Sequence, residues 1–260
     1  MGKTDEVLEG WDRFNSLIIE EAKRLMLPSF KIRQKELGEA IWNTLFDTGG
    51  PTVISHKPSE KTKFFGKIFQ GFLEIQASVS TLYDIEIYIS SFPYHNKQIT
   101  KPRHLRYHLE NYYSELYLLK ERLIAFLTKI RRFYKQDSRH QSILRMTRPT
   151  FSFVSSSLKG ILETRRIHVH VARFSDKDLD RLESMNLYHT AGFDSSGADR
   201  LFDNFYKSTY RSIRSKWKKV LKNNNAELLK LLDIYSKVLI RILFDEKTGA
   251  MIYPSDISDI

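Results

Sequence analysis

The residues best suited to chemistry lie in one stretch, Glu163-Thr164-Arg165-Arg166-Ile167-His168-Val169-His170-Val171. Arg165 stands seven residues after Leu158 and four after Ile161, so it continues the apolar stripe of a helix marked by Phe151, Val154, Leu158, Ile161 and Leu162. A guanidinium on an apolar face is costly unless an anion meets it. Beyond it, β-branched Ile167, Val169 and Val171 alternate with the histidines, a poor helical sequence that predicts a break. On an unbroken helix His168 faces Arg165. His170 then points roughly 140° away, and a break lets it swing back. Either arrangement sets a permanently charged, anion-holding fork beside a group that gains and loses a proton near neutrality. The competing reading pairs Arg165 with a carboxylate such as Glu163 or Glu110 and leaves the histidines to pack.

The elements that must position this stretch are helical throughout. Val7, Leu8, Trp11, Phe14, Leu17, Ile18, Ala22 and Leu25 predict a helix that Pro28 ends, with a short helix following over about 31–45. Gly49-Gly50-Pro51 marks a loop. Ser59 precedes a helix carrying Phe64, Ile68, Phe69 and Phe72, and another is expected from about Val79 to Ser90, where Phe92-Pro93 stops it. Leu105, Leu109, Tyr112, Leu116, Leu119, Leu123, Phe126, Ile130 and Phe133 alternate steps of four and three, a long amphipathic helix opened by Thr100 and Pro102. Tyr113, Tyr117, Ile124 and Leu127 widen its apolar face, which favours a bundle over a two-stranded coil. A basic link spans 131–148. Ser175-Asp176-Lys177-Asp178 reads as a capping box opening a short helix to about Met185. A last helix runs from about Ala198 to Phe244, with an interruption expected at Asn223-Asn224-Asn225.

Composition narrows the chemistry. The chain has 260 residues, 42 Lys and Arg against 31 Asp and Glu, and a net charge of +11. This favours polyanionic partners. Cysteine is absent, which excludes disulfides, iron–sulfur clusters, thiolate zinc sites and a cysteine nucleophile. Met1–Glu6 is too polar and acidic for a signal peptide, and apolar runs are short, so a cytoplasmic protein without a membrane anchor is expected. Gly66 and Gly71 have phosphate-loop spacing, but Phe72 occupies the lysine position. Asp176, Asp178 and Asp180 imitate the start of a calcium loop, yet Arg181 replaces its glycine and Leu187 its glutamate. His104 and His108 share a helical face without an evident third ligand, so packing against tyrosines and contact with solvent are expected, and no metal or other cofactor.

Arg165-x4-His170 resembles the R-x4–6-H signature of the HEPN superfamily, all-helical domains found in many metal-independent ribonucleases of toxin–antitoxin and antiphage systems. Arg173-Phe174-Ser175-Asp176 is similar to an Arg-Phe-x-Asp stretch that follows the motif in some bacterial branches. The resemblance covers about Val79–Phe244. It implies an all-α chain: an N-terminal helical segment (1–78), a HEPN-like bundle (79–246) and a C-terminal tail (247–260). It further implies a homodimer in which Arg165 holds the scissile phosphate and His170 acts as base toward the ribose 2′-hydroxyl or acid toward the leaving oxygen. Arg166 and His168 are secondary phosphate contacts, and the product is a 2′,3′-cyclic phosphate. RNA and an antitoxin or effector protein are the expected partners. Arg166 stands where family nucleases usually carry Asn, Asp or His. Ala172 stands where some toxins carry a nucleotidylated tyrosine, which argues against that regulation. The alternative is a non-catalytic helical module for dimerisation or nucleotide binding.

A second feature is independent of the motif. Lys207, Arg211, Arg214, Lys218 and Lys222 fall at steps of four, three, four and four, a basic ridge beside an apolar one formed by Tyr206, Tyr210, Ile213, Trp217 and Leu221. Such a ridge suits phosphate contacts, or is a solvated face beside a buried one. Arg131, Arg132, Lys135, Arg139, Arg145 and Arg148 extend it if the fold brings them near.

Overall fold

The computed structural model describes residues 9–46, 58–92, 98–160, 176–190 and 198–257. Among these are six helices: α1 (Glu9–Phe46), α2 (Glu60–Tyr88), α3 (Lys101–Phe133), α4 (His140–Ser157), α5 (Lys177–Thr190) and α6 (Ala198–Leu243). The fold is all-α, and the only extended pairing among the described residues is a single antiparallel bridge between Phe244 and Met251.

Local signals open the helices where expected. The Ser59 hydroxyl accepts the Thr62 N–H at α2, and the Thr100 hydroxyl accepts the Arg103 N–H at α3. At α5 the Asp176 carboxylate accepts the N–H groups of Asp178 and Leu179, so Asp176 itself is the cap. The α3 stripe is buried from Leu105 to Ile130.

The helices run longer than their breakers imply. α1 continues through Pro28, joining the two predicted segments. Proline forfeits one backbone bond at a cost of about 3 kcal/mol, but its fixed φ is itself helical, so it weakens a helix without having to end it. α2 is one helix because Phe65, Ile68, Phe72, Ile75, Val79, Leu82, Ile85 and Ile89 form one unbroken buried stripe. Much of the predicted basic link 131–148 is the start of α4. Its buried side reads Ile143, Thr147, Thr150, Val154, Leu158, with the two threonines back-bonded to the carbonyls of Ile143 and Met146. Hydroxyls satisfied within the helix can be buried, which hides the stripe from an apolar count. α5 extends five residues past Met185. The Asn triplet leaves α6 unbroken: Asn225 is buried and takes a hydrogen bond from the Tyr112 hydroxyl at 2.8 Å while donating to Glu86.

The chain packs as two compact units. The first comprises the described parts of Met1–Leu73, Ala125–Phe151 and Leu232–Ile260, the second those of Glu74–Ile124 and Ser152–Leu231. In the first, Phe14 sits edge-on to Phe72 and Phe244. Gly71 lets the Phe126 ring approach the α2 backbone, since a Cβ there would lie 2.6 Å from the ring. The C-terminal segment is tied down by polar contacts. The Tyr134 hydroxyl donates to the Ile252 carbonyl, the Ser255 N–H donates to Asp137, and the Tyr253 hydroxyl donates to Glu21, which also takes a fork from Arg24. Gly249 makes the intervening turn at φ 69°. Asp233 of α6 caps α1 by accepting the Gly10 N–H at 2.7 Å and pairs with Lys237.

Three carboxylates of this unit sit below their ordinary range. Burial alone would raise Glu21, Asp137 and Asp233. Hydrogen bonds from Arg24 and Tyr253, from Arg139 and Ser255, and from Lys237, Gly10 and Trp11, respectively, outweigh it. A depressed folded value means that the unfolded chain binds more protons at low pH, so this stabilisation is present above the unfolded values of 3.8 to 4.5 and is lost as pH falls through the folded ones. Circular dichroism between pH 7 and 2 should show acid unfolding. Asp233→Asn and Asp137→Asn should each lower stability at pH 7 by about 1 kcal/mol or more and flatten the acid limb. An acid limb unchanged in both would refute this account.

Candidate functional site

The second unit presents a polar cluster where α3 meets α5. Arg106 of α3 is buried, and its Nη2 donates to Asp180 at 2.8 Å and to Glu183 at 3.0 Å. The acids lie three apart on one face of α5, which makes them neighbours on the helix surface. The buried cation is thus met by two carboxylates that keep 47% and 40% of their surface in water. Such a pair fixes geometry more surely than it adds net stability. Leu179, Leu182 and Met185, the apolar side of α5, are buried. α5 is further tied to α6 by Lys216 to Asp178 at 2.5 Å and by the Tyr206 hydroxyl donating to Asn186.

Beside Arg106 on α3, His104 and His108 are buried with ring centroids 4.5 Å apart. Phe92 stands edge-on to His104, while Tyr88 and Tyr107 lie against His108. Burial, and then the neighbouring His108, push His104 down to about 4, and burial depresses His108 as well. Both are therefore neutral packing groups near pH 7; the tyrosine packing expected of them is found at His108, whereas the expected solvent contact is not, because both rings are buried. No group of three metal-binding side chains occurs among the described residues.

Arg165, Arg166, His168 and His170 lie outside the described residues, as do Glu163 and Arg173-Phe174-Ser175. What the structure fixes is the chain on either side. Leu158 is buried at the near end, and Asp176 caps α5 at the far end. Both ends belong to the second unit. The sequence points to Arg165 as the buried arginine, whereas the arginine buried among the described residues is Arg106. The signal was there: Arg106 falls seven residues before Tyr113 and eleven before Tyr117, the positions that widen the apolar face of α3.

All five ridge residues lie on α6 in this same unit. Lys207, Arg211, Lys218 and Lys222 are exposed and Arg214 is half-buried, its guanidinium 5.4 Å from the Tyr210 ring. Tyr206, Tyr210, Ile213, Trp217 and Leu221 are buried beside them. Lys207 pairs with Asp203. Arg211, Lys218 and Lys222 make no ion pair among the described residues. From Asn204 to Ala226 the helix carries seven cations and no acid. Like charges three and four apart repel on a helix surface, so this face is held together by the buried stripe beneath it and lacks the alternating charge of an ordinary solvated helix. Of the further basic residues, Arg139 is engaged by Asp137 and stacked on Tyr134, and Arg131 lies over Phe151, all within the first unit. No helix among the described residues is long and apolar enough to cross a membrane.

No known family, characterised protein or solved structure matches this chain.

The α3–α5 clamp makes an asymmetric prediction. Arg106→Met leaves two half-exposed acids to water and should cost about 1 to 2 kcal/mol in urea unfolding. Asp180→Asn with Glu183→Gln strips the carboxylates from a buried cation and should cost about 3 kcal/mol or more. Equal costs would show that Arg106 is not desolvated as described.

Proposed function

We propose that the protein is an RNA-directed factor of HEPN type, a metal-independent endoribonuclease that cleaves by 2′-hydroxyl attack or, short of catalysis, an RNA-binding protein. The observation that carries this reading is the acid-free face of α6, where exposed Arg211, Lys218 and Lys222 have no counter-charge among the described residues. Uncompensated cations spread over about 16 Å of helix, from Arg211 to Lys222, are stabilised by a polyanion lying along them. The Arg165-x4-His170 motif lies in the same unit's chain, between buried Leu158 and the Asp176 cap, and supplies the residue types for phosphodiester transfer. Arg165 holds the phosphate and stabilises charge growing on its oxygens, and His170 takes the 2′-hydroxyl proton or protonates the leaving oxygen. A homodimer brings two such motifs to one cleft, and action in toxin–antitoxin or antiphage defence, in the cytoplasm and with an antitoxin or effector partner, accords with that chemistry.

Purified protein should cut RNA in the presence of EDTA and leave cyclic phosphate ends. Arg165→Ala and His170→Ala should each abolish cutting with helicity intact; undiminished cutting by both variants removes the site assignment. In binding, replacing Lys218 and Lys222 together should lower the slope of log affinity against log salt by about 1.4, from roughly 0.7 per phosphate contact on a single strand. An unchanged slope would exclude the ridge.

A further inference from the structure

The second unit carries a groove on a different face of α6, about a third of a turn from the basic ridge at 100° per residue. Asp178 and Arg181 of α5 form one wall. Phe205, Ser208, Ser212 and Lys216 of α6 form the other, at steps of three, four and four. Ile213, buried, closes the floor, and the volume is about 320 Å³. Its chemistry is mixed in an unusual way. Phe205 leaves 52% of its surface to solvent although it stands beside a buried stripe. The Arg181 guanidinium lies 6.0 Å from the Phe205 ring centroid. Further along α6, the Lys216–Asp178 pair bridges the two helices, and both side chains stay about half exposed.

We infer that this groove seats one unpaired base of a single-stranded RNA. An exposed ring offers a base the stacking surface it loses when it leaves its own strand. The Ser208 and Ser212 hydroxyls and the Asp178 carboxylate present donors and acceptors to the base edge. Arg181 adds positive charge for an adjoining phosphate, while Lys216 holds Asp178 in place. The volume lies at the small end of the roughly 300–1,000 Å³ of ligand sites and has room for a base. A base inside a duplex already has a neighbour on both faces, so the groove selects single strands. The groove also opens at the first turns of α5, two residues past the Asp176 cap and eight past His170 in the chain. This inference rests on the RNA reading given above and names its substrate class.

The test uses the full-length protein and three fluorescent probes of equal length: a single-stranded RNA, the same backbone with its bases removed, and an RNA duplex. The single strand should bind about tenfold more tightly than the abasic strand. Phe205→Ala should erase that advantage, Phe205→Trp should keep it, and Ser212→Trp, which fills the groove, should erase it with Phe205 intact. Circular dichroism checks that each variant is folded. Equal affinity for base-bearing and abasic strands, or an advantage unmoved by both Phe205→Ala and Ser212→Trp, overturns the groove assignment while salt-dependent binding through the ridge leaves the RNA reading standing. Failure of every probe to bind overturns both.

Discussion

Arg106 is a charge taken out of water on α3, and it dictates where α5 goes. With its guanidinium buried, two acids must reach it, and Asp180 and Glu183 meet that demand only if α5 lies across α3 at one register and with one face turned inward. The same register buries Leu179, Leu182 and Met185. It also sets Asp178 within reach of Lys216 and brings Arg181 over Phe205. The groove between α5 and α6 is a consequence of that placement, as is the position of Asp176 at the far end of the segment that carries Arg165 and His170. A hydrophobic pairing of similar area would tolerate slippage by a turn; a buried cation with two specified partners does not.

The first unit solves a different problem. Its C-terminal segment has almost no secondary structure of its own, and such a segment stays ordered only if its backbone groups find partners. Tyr134, Asp137 and Arg139, just beyond the end of α3, supply several of these, and Glu21 with Arg24 fixes Tyr253. Asp233 does double duty by capping α1 and holding Lys237. The polar contacts are few, and each carboxylate involved is held ionised by them.

Breakers in the sequence proved weak predictors of where the helices end. The stripe of α3 was legible because, apart from His104, Arg106 and His108 near its start, its buried positions hold apolar residues. α4 was legible only in its second half, because its first buried turns use threonines whose hydroxyls bond back to the helix and so need no partner elsewhere. The Asn triplet of α6 imitates a loop in isolation. In place, Asn225 answers the Tyr112 hydroxyl and Glu86, a pairing between residues more than a hundred positions apart that no local rule anticipates.

The basic ridge is fully determined by spacing: residues three and four apart on a helix must share a face, so Lys207, Arg211, Arg214, Lys218 and Lys222 align in any fold that makes α6 helical. All-α architecture, the absence of thiol chemistry and the Arg165-x4-His170 motif are likewise properties of the chain alone. Which arginine is buried and which carboxylates meet it was decided by tertiary structure, and so was the leaning of Phe205 into a groove with Arg181. Those facts depend on contacts between segments about 25 to 80 residues apart. The free energy of desolvating a charge depends on everything that surrounds it, and local periodicity carries no record of that.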